Sequence, residues 1–202
     1  MTAAFIAQAA GLFVVTNIDD IIVLSLFFGR GAGRAGTTAR IAAGQYLGFG
    51  AILVAAVLVA FGAARVLPEG AIPYFGLLPL ALGLRAAWQV WRGEDDDDDD
   101  DDDEGGAGRP VGVLTVAAVT FANGGDNIGV YVPVFLTVGT AGIVAYSVVF
   151  LALVAVLVAA ARFVATRKPV AELLERWEHV LFPLVLIGLG VVILVEGGAF
   201  GL

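Results

Sequence analysis

The sequence predicts an all-α polytopic membrane protein with six transmembrane helices in a 3+3 inverted repeat and both termini outside. Three observations lead there. Long apolar runs dominate the chain, the basic residues gather in alternate loops, and one short polar motif occurs twice.

The apolar runs come first. Of 202 residues 59% are hydrophobic, and the mean hydropathy is +0.93. An ordinary soluble domain runs about 45–50% apolar. The excess lies in stretches of about 18 residues or more, long enough to cross roughly 30 Å of hydrocarbon. Gly29, Gly31, Gly33 and Gly36 punctuate the first loop, and Pro68, Gly70 and Pro73 the second. Between these breaks the pattern predicts helices over 3–28, 37–62, 72–92, 111–136, 140–163 and 179–197. Val138-Gly139-Thr140 reads as a tight turn between the fourth and fifth. The chain divides accordingly into a first three-helix repeat (1–92), an acidic cytoplasmic linker (93–110) and a second three-helix repeat (111–202).

Charge sets the orientation. Glu94 to Glu104 are eleven consecutive acids; taking them from the net charge of −8 leaves +3 for the rest. Arg30, Arg34, Arg40, Arg92, Arg109, Arg162, Arg167, Lys168 and Arg176 fall in or beside loops one, three and five, whereas the other side keeps Arg65. Basic residues favour the cytoplasmic face, so those three loops are predicted inside. Trp88, Trp91 and Trp177 fall at the same ends, where indole rings suit the membrane interface. No basic leader precedes the first apolar stretch, so it reads as a span and not as a cleaved signal. With no cysteine, the chain has no disulfide, thiolate metal site or cysteine nucleophile.

The repeat links Thr16 to Val23 with Asn123 to Val130 at an offset of 107, matching Asp19 with Asp126 and Asp20 with Asn127. Leu78 to Leu84 likewise resembles Phe182 to Leu189 around Pro79 and Pro183, with one insertion. Three spans per half is an odd number, so the second half must enter from the opposite side. Inverted repeats with a site at their interface are a recurring transporter plan.

Asp19, Asp20 and Asp126 carry the chemistry. A carboxylate at the bilayer centre costs about 2.5–3.5 kcal/mol on insertion scales, so it persists where it meets water, a cation or a partner. Hydrogen bonding between protonated acids is the plainer alternative. Thr16, Asp19 and Asp20 stand at i, i+3 and i+4, and Asn123, Asp126 and Asn127 repeat the spacing, which on intact helices puts oxygens on one face. Adjacent Asp19 and Asp20 diverge by about 100° on a helix, so either one points away or the helix unwinds. Gly124-Gly125 invites a break that would free carbonyls, although glycines also serve close helix packing. Carboxylate, amide, hydroxyl and carbonyl oxygens suit Ca, Mn and Mg, and a softer ion such as Cd binds where carboxylates neutralise it. Two acids balance a divalent ion, and a third is available to carry an exchanged proton.

The segments Thr16-Asn17-Ile18-Asp19-Asp20-Ile21 and Ala122 to Phe135 (ANGGDNIGVYVPVF) resemble the signatures of the cadmium-resistance transporter family, the CadD-like branch of the LysE superfamily. The resemblance covers essentially the whole chain. It implies a multi-pass plasma-membrane exporter of divalent heavy metal, chiefly cadmium, with Zn, Mn or Ca as other cargoes. By matching position it assigns the polar core to Asn17, Asp19, Asp20, Asn123, Asp126 and Asn127, to which the spacing adds Thr16. The acidic run departs from the family pattern.

The partners expected are the lipid bilayer, the transported divalent ion and a second copy of the chain in a homodimer; no cofactor and no nucleic acid are expected. No phosphate-cradling GxxxxGK[ST] motif occurs, so transport would be secondary. Amino-acid export is the nearest alternative, but it would want a basic group at the midplane. An intramembrane aspartyl protease also needs two buried aspartates, yet Asn123-Gly124-Gly125-Asp126 lacks the first glycine of the GxGD pattern. The expectation is therefore a transporter and not an enzyme. The acidic run reads as a solvated linker, and His179, Glu196 and Arg85 read as interfacial. Gln45 and Tyr46 line a pathway or bond between helices, and Pro133 and Pro183 kink their helices.

Overall fold

The computed structural model describes residues 2–92, 111–167, 183–184, 186–195 and 197–199, together with the side chains there except those of 69, 86, 89 and 90. The acidic run, Arg109, Lys168, Arg176, Trp177, His179 and Glu196 lie outside the described residues. Among those described, the chain is all-α.

Seven helices follow in order: α1 Ala3–Thr16, α2 Ile18–Arg30, α3 Thr37–Val66, α4 Leu77–Arg92, α5 Val113–Asn123, α6 Gly125–Val164 and α7 Leu186–Val195. A 3₁₀ segment, Glu69–Gly76, leads into α4 and contains Pro73, whose ring suits a short tight helix better than an α-helical interior. By length and composition, α3 and α6 are each able to cross a membrane, and the α1–α2 pair makes a third candidate span across a 56° bend. The helices α4, α5 and α7 are apolar but shorter. The departure from six intact predicted helices has two local causes: helices one and four are each broken near their middle, and α6 runs past a turn. Gly139 stands at φ 66°, ψ 176° inside α6, a backbone that favours glycine, so the expected turn at Val138-Gly139-Thr140 splits that element in two. Pro133 lies within α6 and, lacking an N–H, cannot bond the Gly129 carbonyl one turn earlier.

The molecule is apolar outside as well as within. Leu58, Leu114 and Val156 are more than half exposed, while Asn17, Gln45, Asp20, Asn127, Thr120 and Thr16 are buried. Such a surface suits lipid, and buried polar groups mark the interior of a membrane bundle. Trp88 and Trp91 are exposed, packed against each other, with the Arg92 guanidinium 5.1 Å from the Trp88 ring. This is the amphipathic grouping expected at a membrane–water boundary.

At the centre α3 packs along α5 and α6. Gly44 and Gly48 make the α3–α5 approach possible. A Cβ on Gly44 would stand 2.7 Å from the Val113 carbonyl oxygen, and one on Gly48 2.6 Å from that of Ala117. Small residues one turn apart let backbones close in where no water drives association. On the other side α4 and α7 meet the same way: Gly83 faces the Ile187 backbone and Gly190 that of Leu80, so the two run antiparallel. The aromatic rings of Phe13, Phe49, Tyr131, Phe135, Tyr146 and Phe150 fill the space beside the breaks, mostly in edge or tilted contacts.

Candidate functional site

The site lies where the two broken helices meet. The first break is at Asn17, which ends α1 and begins α2 at φ −131°, ψ 19°. Its side chain does not cap α2. Instead Asn17 Nδ2 donates back to the Phe13 carbonyl at 2.8 Å, supplying a partner for a group left over at the end of α1, and also reaches Thr16 Oγ1 at 2.9 Å and Tyr131 OH at 3.0 Å. Within a membrane interior freed backbone groups must find such partners. The second break is at Gly124, at φ −87°, ψ 19°. That backbone is open to any residue, and what the glycine gives is room: an added Cβ would meet the terminal methyl of Ile52 of α3, which would have to shift, and would lie 3.2 Å from the Thr120 carbonyl oxygen.

Each break starts a new helix with acid in its first turn, Asp19 and Asp20 on α2 and Asp126 on α6. A helix N-terminus carries unpaired N–H groups and partial positive charge, which favours an ionised carboxylate. Asp126 Oδ1 accepts from the Asn127 backbone N–H at 2.9 Å.

The two breaks join through one amide. Asn123 Nδ2, at the end of α5, donates to Asp19 Oδ2 at 2.6 Å and to Asp20 Oδ1 at 2.8 Å. Of the two expected outcomes for the adjacent acids, the unwinding occurs, at Asn17 just before them, and neither acid points away. Both stay helical and both face the site, because a donor with two hydrogens sits between their diverging carboxylates. Asp20 is buried, Asp19 half-buried and Asp126 exposed, so the cluster opens toward Asp126 and Gly125.

The single-face spacing expected of each triplet is not what assembles the site. The break at Asn17 separates Thr16 from Asp19 and Asp20, and the break at Gly124 separates Asn123 from Asp126 and Asn127. Thr16 Oγ1 turns to Tyr131 OH at 2.8 Å and to the Leu12 carbonyl at 3.0 Å, not to the acids. Asn17 and Asn127 are buried, and the Oδ1 of each has no hydrogen-bond partner. Asn17 cannot relieve this by turning over, since its nitrogen is needed at the Phe13 carbonyl. These are unused acceptor oxygens beside the acids' helix ends. Among the described residues no three His, Cys, Asp or Glu side chains stand close enough to hold a metal ion between them. An ion at the breaks would take amide oxygens beside its carboxylates.

Three participants escape a reading of motifs. Gln45 of α3 donates through Nε2 to Asp20 Oδ2 at 2.8 Å, and Thr120 of α5 donates to Gln45 Oε1 at 2.6 Å. Tyr131 OH, on α6, accepts from Asn17 and shares a hydrogen bond with Thr16. Gln45 is a polar residue well inside an apolar helix, which marked it without assigning a partner. Thr120 and Tyr131 are ordinary residues in apolar runs and carry no signal. Tyr46, by contrast, bonds the Leu151 carbonyl at 2.9 Å on the exposed face, tying α3 to α6.

An all-α chain with lipid-suited exterior, broken helices and acids at the breaks has the features of a membrane transporter that handles cations. The chain belongs to the cadmium resistance transporter family, whose model matches residues 13–202. That family is one of transporters and not of enzymes, and it points to metal-ion efflux. No curated protein and no solved structure matches the chain.

Proposed function

We propose that the protein exports a divalent metal cation, cadmium foremost, across the cell membrane as a multi-pass secondary transporter, with the carboxylates of the two breaks as its passage through the midplane. The observation that carries the reading is the bridge from Asn123 to both Asp19 and Asp20, which joins the acids of one broken helix to the amide of the other. Cargo enters from the open side, past Asp126. It displaces the Asn123 amide from the carboxylates and draws in Asp126, which does not stand with Asp19 and Asp20 before cargo arrives; the three acids then hold it with the amide oxygens of Asn17 and Asn127. Two negative charges balance a divalent ion, and the third acid carries the counter-proton. The side chains gathered at the breaks are acids, amides and hydroxyls, which suits a cation better than a zwitterionic amino acid. Zn, Mn and Ca remain cargoes of the same oxygen chemistry.

The same reading places the chain in the LysE superfamily, with six spans in an inverted repeat and both termini outside. Its support is the position of the breaks. Asn17 and Gly124 differ by the same 107 residues that relate the two motifs, and α4 and α7, the matched third members of each half, cross antiparallel. Asp126 is exposed on the single chain, and a homodimer would keep it from lipid.

The test is growth of a metal-sensitive host on graded Cd salts. Wild type raises tolerance, whereas Asp19→Asn and Asp126→Asn lose it. Equal tolerance in all three strains and the empty-vector host removes the export reading for that metal.

A further inference from the structure

The two acids of α2 are held unequally. Asp19 receives one side-chain hydrogen bond, from Asn123, and is half-buried. Asp20 receives two, from helices on either side: Asn123 on Oδ1 and Gln45 on Oδ2. It is only 3% exposed. When cargo displaces Asn123, the Gln45 bond on Oδ2 remains, so Asp20 cannot rotate without breaking a charge-assisted bond, which is about twice as strong as a neutral one, whereas Asp19 loses its side-chain bond.

Gln45 does this only while its amide faces the right way. A primary amide has one donor end and one acceptor end. Turned over, it would set Oε1 against an Asp20 oxygen. The Thr120 hydroxyl prevents this by donating to Oε1, which leaves Nε2 for Asp20. The backbone arrangement serves the same contact. Gly44 and Gly48 flank Gln45 by one and three residues, and a Cβ on Gly48 would lie 2.7 Å from Thr120 Cβ, so their lack of side chains lets α5 bring Thr120 to Gln45. The Thr120 carbonyl in turn accepts the Gly124 N–H at 2.9 Å, at the second break. A chain of contacts thus runs from the break in one half to the buried acid of the other.

Building on the export reading, we infer that Gln45, oriented by Thr120, is a positioning residue that fixes Asp20 in place, leaves Asp19 as the acid that turns to the cargo, and thereby sets which divalent cations the site accepts. Oxygen sites discriminate between ions through cavity size, ligand number and rigidity. A pinned Asp20 gives the site one wall of defined position, and the smaller Zn ion is disfavoured against Cd because that wall does not close in.

The experiment uses the full chain in liposomes, measuring initial influx of Cd and of Zn against concentration for wild type, Thr120→Val and Thr120→Ser. Valine keeps the shape and removes the hydroxyl; serine restores it. Thr120→Val is expected to raise the half-saturating Cd concentration about ten-fold, the effect of letting the Gln45 amide turn and lose its bond to the charged Asp20, with maximal rate changed less than about two-fold. The Cd-to-Zn preference should fall toward one, and Thr120→Ser should restore both quantities. An unaltered ion preference in Thr120→Val, or a serine variant as impaired as the valine one, overturns the inference. Should Thr120→Val not elute as a single species, Gln45→Met, which keeps length and removes the amide, replaces it with the same expectation and the same refutation. A wild-type chain that carries neither ion overturns the export reading, and the inference falls with it.

Discussion

The break at Asn17 and the break at Gly124 reach the same backbone end by opposite means. At the first, a side chain does the work: Asn17 folds back to the Phe13 carbonyl and clasps Tyr131 of α6. At the second there is no side chain, because Ile52 occupies the place where one would go, and the backbone bond from Gly124 to Thr120 is kept. The lesson is that two helix breaks can share a geometry without sharing the chemistry that holds it. Both breaks deliver acid to the first turn of a new helix, yet one is held by hydrogen bonds and the other by close packing. They should therefore fail differently.

Asn17→Ala strips the first break of its internal partners and leaves the Phe13 carbonyl and the Tyr131 hydroxyl underserved. A loss of roughly 3 kcal/mol of stability is expected, read as a fall in unfolding temperature in detergent, since several buried groups lose partners together. At the second break Gly124→Ala costs about 2 kcal/mol through overpacking. Here a rescue is available that the first break lacks. Ile52→Val removes the offending Cδ1 and should return most of the loss in the double variant. Failure of the rescue would place the crowding at the Thr120 carbonyl and the Asn127 amide, 3.2 and 3.3 Å from the added Cβ, and not at Ile52.

Tyr131→Phe removes the hydroxyl that joins α6 to Thr16 and Asn17 while keeping the ring in its aromatic cluster. About 1 kcal/mol is expected, the usual net value of a hydrogen bond, and the loss should shrink when Asn17→Ala is already present. An additive pair would separate the hydroxyl from the break. Tyr46→Phe is the smallest change. Its bond to Leu151 lies on the exposed face away from the acids, so about 0.6 kcal/mol and an unchanged Cd uptake are expected. A large loss of uptake would extend the site to that face.

Much of this was legible in the amino acids. The acids, their repeat, the tight turn at Gly139 and a break near Gly124-Gly125 follow from charge in an apolar run and from glycine punctuation. The break at Asn17 was less legible. An asparagine inside a hydrophobic helix reads as a ligand or a helix–helix bond, and its bond to its own preceding turn depends on the partner Tyr131 being placed across it. The spacing argument, taken along intact helices, misled for the same reason. Once each helix is broken between the third-spaced residues, Thr16 and Asn123 no longer share a face with the acids that follow them, and Asn123 meets the other half's acids instead. Gln45 was visible as an isolated polar residue, but its partner Thr120 was not, because threonine is unremarkable in an apolar helix until α3 and α5 are seen to close on each other through Gly44 and Gly48. Helix ends shifted by a few residues, and the 3₁₀ lead into α4 replaced an expected helical start because Pro73 sits inside it.

The most direct test of the account is Cd flux into liposomes holding the purified full chain, compared among wild type, Asp19→Asn, Asp126→Asn and the double variant. If acids from both breaks share one cargo ion, either single substitution reduces flux to the level of empty liposomes and the double variant is no worse. Wild-type flux in Asp126→Asn, or two partial losses that simply multiply in the double variant, would contradict a shared site.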